Sequence, residues 1–435
     1  MAEYDCIVVG ARCAGAALAA YAARAGMRVL ALEAAALHTD QPFSTHAIQA
    51  LGLDRLDELG VGARIRAVTP AITVARVSVR DSHLDLHLPE ARAMYCPRRS
   101  VLDPLLQDAA LQSGAELRAG ARVTRLLYDG ERVCGVVAQH KGAGTQEYRA
   151  RWVVGADGRH STVARLAGAP NYIEHTSERA GYWAYYQKPA CWEGEDPWKQ
   201  FHTAIWLDDI ARFAFQCDGE LLIMGAFAPF EQAQAWRGDY PKALHDALMA
   251  SPLTAALAEA GPVTAPIGLM KGKYFVRKPI GPGWALVGDA GLHKDPTPGY
   301  GITDALCDAK ALARALVAGD SPALHTYWRE RDEIAIPMYF QSLRLGHRKF
   351  VNAFNELFLE RVHQDPALCA RMVEVIERTR SPFDVVPNTR VLAWVAGALL
   401  RGRTDVVKGF GYMAMLNDLL RRGQARSSEL QTQLV

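Results

Sequence analysis

CIVVGARCAGAALAAYAARAGMRVLALE, Cys6 to Glu33, decides the fold. The apolar run DCIVV ends at Gly10, an alanine-rich segment follows and stops at Gly26, and RVLALE opens a second apolar run. The pattern reads as strand, turn, helix, strand. In such a unit the first glycine makes a tight turn, the second admits a pyrophosphate to the backbone, and the third lets helix and strand pack closely. The helix N-terminus then supplies N–H groups to the phosphates. Gly10 and Gly15 take the first and third roles, while Arg12 stands where the second glycine is expected. Its backbone N–H still donates if the side chain turns outward, and its guanidinium is a favourable charge beside phosphate. Glu33, at the end of the second strand, is placed to accept from ribose hydroxyls and to repel a 2′-phosphate, so the tightly held dinucleotide is expected not to be NADP.

A chain of 435 residues, 50% of them apolar, is longer than one core usually grows, and two or three packed units are expected. Lys plus Arg (49) nearly balances Asp plus Glu (47), which disfavours nucleic acid or an anionic membrane as partner and leaves a small-molecule substrate. The eight cysteines include no CxxC pair and no zinc-like spacing with histidine, so neither a disulfide framework nor a metal site is expected. They read as reduced thiols of a cytoplasmic protein. The chain enters a strand at Tyr4 with no basic and apolar leader, and no apolar run reaches the roughly 18 residues of a membrane span.

Two further motifs follow. RWVVGADGRHSTVARLAG, Arg151 to Gly168, ends an apolar run in Gly155, Ala156, Asp157 and Gly158. GPGWALVGDAGLHKDPTPGYGITDALCDAKALARAL, Gly281 to Leu316, ends another in Gly288 and Asp289, and a Gly/Pro loop then enters a long helix. Between the first and second fingerprints lies CPRRSVLDPLLQDAALQSGAE, Cys96 to Glu116.

In this order and at these separations the motifs resemble the FAD-dependent monooxygenases of the para-hydroxybenzoate hydroxylase type, with their relatives among flavin reductases and halogenases, over residues 4 to 330. The resemblance implies an α/β fold: a Rossmann-like FAD-binding domain of the glutathione reductase type, an antiparallel-sheet substrate domain and a C-terminal helical region. It implies that Gly10, Gly15 and Glu33 hold the ADP half of FAD, with Arg12, Cys13, Ala14, Thr45 and Val123 among the further cofactor contacts. Arg99 becomes the flavin-side arginine, with Asp103 as its partner. Asp157 would stand near the pyrophosphate and the transient path of NADH or NADPH, and Asp289 would hold a ribityl hydroxyl. The loop Pro296–Gly299–Gly301 would aim a helix N-terminus at the reduced flavin, where negative charge develops. Oxygen would then add at the flavin C4a position, and the terminal peroxide oxygen would pass to an aromatic or apolar substrate.

The implied flavin domain is discontinuous: residues 1–75, 95–175 and 280–330, with the substrate domain at 76–94 and 176–279 and helices over 331–435. Short alternating runs such as GYWAYYQKP and RFAFQCDGELLIMGAFAPF suit a half-buried antiparallel sheet, and at most half of Tyr182, Trp183, Tyr185 and Tyr186 would face a pocket. VLAWVAGALL, Val391 to Leu400, reads as a core or interface helix, and the helical tail as a pocket cap or dimer contact of a monomer or homodimer. His46, His293 and Lys294 are the candidates for acid–base chemistry, although Lys294 is expected to pair with Asp295 and Arg98 to be solvated. An alkene reductase of the geranylgeranyl reductase kind would use the same three motifs. A halogenase would need a Trp-x-Trp-x-Ile-Pro stretch that is missing here, and a passive flavin sensor would not need the helix start.

Overall fold

Val8 stands at the centre of the first sheet, pairing in parallel with Ala31 on one side and Val154 on the other. It is one of the continuously apolar strands that a sheet covered on both faces requires. The computed structural model describes residues 3–39, 44, 46–189, 203–207, 210–270 and 272–432. The sheet runs in the order Ile280–Gly281, Trp284–Leu286, Gly144–Gly155, Tyr4–Val9, Val29–Leu32 and Glu116–Arg118, and an antiparallel pair, Ala121–Asp129 with Arg132–His140, extends from Gly144–Gly155. One face is covered by the helices Cys13–Arg24, Arg99–Gln112 and Gly301–Ala318, the first packing against each of the other two. Alanine on Cys13–Arg24 permits the close approach: Ala16, Ala17, Ala19 and Ala20 are fully buried. Leu18, Leu306 and Leu312, also fully buried, each contribute about 1.5–3 kcal/mol through lost hydration.

A second sheet of seven strands lies apart from the first, in the order Ile267–Leu269, Arg179–Gln187, Leu221–Pro229, Ala211–Gln216, Thr203–Leu207, Val74–Val79 and Ser82–His87. It departs from the antiparallel expectation at one place. Thr203–Leu207 and Val74–Val79 run parallel, because the latter strand comes from a distant insertion rather than from a hairpin. A three-stranded sheet is formed by Leu292–His293, Lys273–Arg277 and Asn171–Thr176.

Beyond Gly319 the chain is helical: Ser321–Gly346, Ala353–His363, Pro366–Ile376, Asn388–Leu400 and Val406–Thr432. These helices share cores with the sheets. Met338, Phe350 and Val375 pack in one cluster with Trp183 and Phe213 of the second sheet. Among the described residues no helix is long and apolar enough to cross a membrane, and no group of metal-ligating side chains is assembled.

Candidate active site

The first turn explains why the fingerprint tolerates Arg12. That residue caps the helix Cys13–Arg24 at φ −98° and ψ −162°, extended backbone open to any side chain. The two glycines that remain are needed. Gly10 has φ +98°, and a Cβ there would lie 2.6 Å from the Ala156 carbonyl oxygen; a Cβ on Gly15 would lie 1.9 Å from that of Gly10. No side chain caps the helix and no acid lies in its first turn, which leaves its N–H groups for an anion. The buried Glu33 carboxylate accepts from Ala11 N–H (2.9 Å) and Ala35 N–H (3.0 Å), and Gln107 Nε2 donates to Ala11 O (2.9 Å). Glu33 therefore braces the turn as well as standing at the strand end. These features fit the pyrophosphate half of FAD.

Around this turn the later motifs converge. Gly288, at φ +60°, lies so close to the helix that a Cβ would meet Ala14 Cβ at 2.8 Å. Its neighbour Asp289 has a side chain 45% exposed, open to a ligand, with Oδ2 3.1 Å from His293 Nδ1. Arg99 and Asp103 form a bidentate pair (2.9 and 2.7 Å) that is almost wholly buried, and Cys13 Sγ donates to Asp103 Oδ1 at 3.2 Å. Burial pushes the Cys13 thiol well up, so it stays protonated. Asp157 takes a helix-capping position: its carboxylate accepts from Ser161 Oγ (2.5 Å) and Thr162 N–H (2.7 Å), and burial raises its pKa. Val123 is buried in the core with Val9 and Leu32, at the ends of the first two strands. Thr45 lies outside the described residues.

His46 sits against Tyr185 of the second sheet. It is 1% exposed, held at φ +64°, and its Nε2 shares a hydrogen bond with the Tyr185 hydroxyl. Nδ1 is buried without a partner among the described residues, an open position for a bound group. Burial, then the charges of Arg99 and Arg98, push the imidazole pKa down to about 3, so it is neutral at physiological pH. Arg98 is not simply solvated: its Nε and backbone N–H both donate to Asp218 (2.8 and 2.6 Å), on the turn between two strands of the second sheet.

The expected Lys294–Asp295 pair does not form. Lys294 is buried against Asp304, which also receives Arg378 from the C-terminal helices, and burial pushes the Lys294 ammonium pKa well down. Asp295 instead accepts from Thr297 N–H (2.9 Å) and Oγ1 (2.5 Å), folding the loop onto itself. That loop closes with Gly299 N–H donating to Pro296 O (2.9 Å) at φ +70°, and leads into Gly301–Ala318, whose start has no side-chain cap. Nothing crowds Gly301, so packing gives no reason for glycine there and the backbone stays approachable. Gln49 stitches the His46 segment to the helix start through Thr303 Oγ1 (2.7 Å) and Gly299 O (3.3 Å).

Beside this loop lies a small cavity of about 30 Å³. Phe213, Phe215 and Phe227 line it, with Arg179, Asp295 and Thr297 at the polar side. Cross-strand register places Arg179, Trp183 and Tyr185 on the same sheet face as Phe213 and Phe215, while Tyr182 and Tyr186 pack in a different cluster. Sequence reading missed Arg179, the three phenylalanines, Asp304 and Arg378. Alternation hinted at the phenylalanines, but pairing among strands and the contact made by Arg378 are visible only in three dimensions.

The comparisons agree with this geometry. The family model described as an FAD binding domain matches residues 3–202. The chain is 25% identical over 315 residues to a digeranylgeranylglycerophospholipid reductase of Methanococcoides burtonii, covering 70% of this chain and 72% of the relative. It is 34% identical to the 12-dehydrotetracycline 5-monooxygenase/anhydrotetracycline 6-monooxygenase of Streptomyces rimosus, over 38% of this chain and 33% of that one. Among solved structures, p-nitrophenol 4-monooxygenase from Pseudomonas putida superposes with a TM-score of 0.70 at 17% identity, over 87% of this chain and 98% of the other. With its glycine-bearing first turn, its Gly288–Asp289 turn and its seven-stranded sheet arranged in this way, the chain is an FAD-dependent oxidoreductase similar to monooxygenases of the para-hydroxybenzoate hydroxylase type.

Proposed function

We propose that the protein is an NADH- or NADPH-dependent monooxygenase that inserts one oxygen atom of O2 into an aromatic small molecule and releases the other as water. The observation that carries this reading is the aromatic pocket, because it adjoins the Pro296–Gly301 loop and the uncapped start of Gly301–Ala318. FAD, when bound and reduced, supplies the oxygen activation. The residues that would hold it are Gly10, Arg12, Gly15, Glu33, Arg99, Asp289 and the Pro296–Gly301 backbone.

The chain's own side chains position and desolvate. Phe213 and Phe227, with ring centroids 5.9 Å apart, form an apolar wall suited to a flat ring and to excluding water. His46, neutral and joined to Tyr185 through Nε2, is suited to orient a bound group through a hydrogen bond at Nδ1 without carrying a charge. Lys294, paired with Asp304, is assigned to positioning the loop rather than to proton transfer.

A second reading is favoured by one observation: the phospholipid reductase covers about 70% of this chain, the tetracycline enzyme 38%. On that reading the same flavin reduces an alkene. The deciding experiment records the absorbance of the purified protein, then NADH and NADPH oxidation and oxygen uptake across a panel of phenols. Flavin bands with substrate-stimulated oxygen uptake and a hydroxylated product support the monooxygenase. Bound flavin that reduces an isoprenoid alkene without oxygen uptake establishes the reductase, and failure to bind added FAD overturns both.

A further inference from the structure

The hairpin of Asn388–Leu400 and Val406–Thr432 leaves an apolar surface uncovered. Asn388–Leu400 buries only Val395 and Ala398. Leu392 (53% exposed), Leu399 (41%), Val407 (45%) and Met415 (47%) stand in water, and Leu400, at the connecting turn, is 90% exposed. Such a concentration of exposed large side chains in a short stretch marks an interaction site. The turn is well built: Arg401 and Arg403 N–H donate to Ala398 O, Gly402 N–H to Leu399 O, and Gly402 takes φ +80°. Leucine is thus held at the tip by backbone geometry.

The charges around the tip select the occupant. Arg401, Arg403 and Lys408 surround it, and Asp405 is the one acid from residue 389 to 408. A second copy of this chain, docking about a two-fold axis, would bring these cations against their own images. An anionic bilayer surface matches both features, since exposed leucines enter the acyl boundary while flanking cations meet the headgroups. We infer that the Leu399–Leu400 tip docks the protein peripherally on an anionic lipid surface. The near-neutral charge of the whole chain averages over this basic tip.

Co-sedimentation of the full chain with vesicles of phosphatidylcholine, alone or mixed with phosphatidylglycerol, tests the inference. The protein is expected to pellet with the mixed vesicles, not with phosphatidylcholine alone, and to be released by high salt. Replacing Leu399 and Leu400 by serine, or Arg401 and Arg403 by glutamate, is expected to lower partitioning about tenfold or more while leaving the thermal midpoint unchanged. No partitioning into anionic vesicles, or equal partitioning into neutral ones, overturns it. So does a concentration-dependent dimer, detected by sedimentation velocity, that Leu400→Ser abolishes.

Discussion

The parallel sheet and the seven-stranded sheet build their parts of the candidate site by different means. On the parallel sheet the working elements are backbone: positive-φ glycines at 10 and 288, the uncapped start of Cys13–Arg24, and Glu33 bracing the turn. On the second sheet they are side chains, Arg179, Phe213, Phe215 and Phe227, brought to one face by cross-strand register. A backbone site is local in sequence, whereas a side-chain site of this kind is assembled from strands distant in sequence. His46 and Tyr185 join the second sheet to the segment that Gln49 ties to the start of Gly301–Ala318.

Four substitutions test the contrast, beginning with the most severe. Gly15→Val places carbon where the Gly10 carbonyl oxygen already stands; loss of FAD binding, visible as loss of flavin absorbance, is expected together with roughly 3 kcal/mol or more of destabilisation. Retained flavin would mean that the turn yields more than its packing allows. Asp103→Ala strands the buried Arg99 guanidinium and should cost about 3–5 kcal/mol, read from the urea unfolding midpoint, with weaker FAD affinity.

On the other sheet, a Cβ at Gly225 would lie 2.5 Å from the Phe213 ring and 2.7 Å from Trp183 Cβ. Gly225→Ala is therefore expected to cost about 1–3 kcal/mol and to raise KM for an aromatic substrate while flavin absorbance stays intact. Equal losses of flavin and substrate binding would break the division between backbone and side-chain sites.

The last test is at His46. Because His46 has its pKa held to about 3 when folded against an ordinary 6.5, the unfolded chain binds the proton first, so its neutral burial favours folding fully above pH 6.5 and progressively less as pH falls toward 3. His46→Phe should remove up to about 1.4 kcal/mol per pH unit from the acid-side slope of unfolding free energy across that window. An unchanged slope would show that His46 titrates normally.

How much of this was legible follows from the same contrast. The turns at Gly10 and at Gly288–Asp289 could be read because each ends an apolar run, and a turn is written in adjacent residues. The pairing of Lys294 could not. Its neighbour Asp295 looked the natural partner, but Thr297 satisfies that carboxylate, and Lys294 meets Asp304 instead. Likewise Arg98 looked solvated because nothing near it in sequence announces Asp218, 120 residues away.

By itself, then, the sequence determined the strand–turn–helix units and the order of the three glycine-rich turns, because apolar periodicity and turn chemistry act over a few residues. Tertiary structure alone decided which charges pair, which phenylalanines share a wall, and that His46 is buried and neutral against Tyr185. Those depend on distances and desolvation among groups far apart along the chain, and neither quantity exists until the chain has folded.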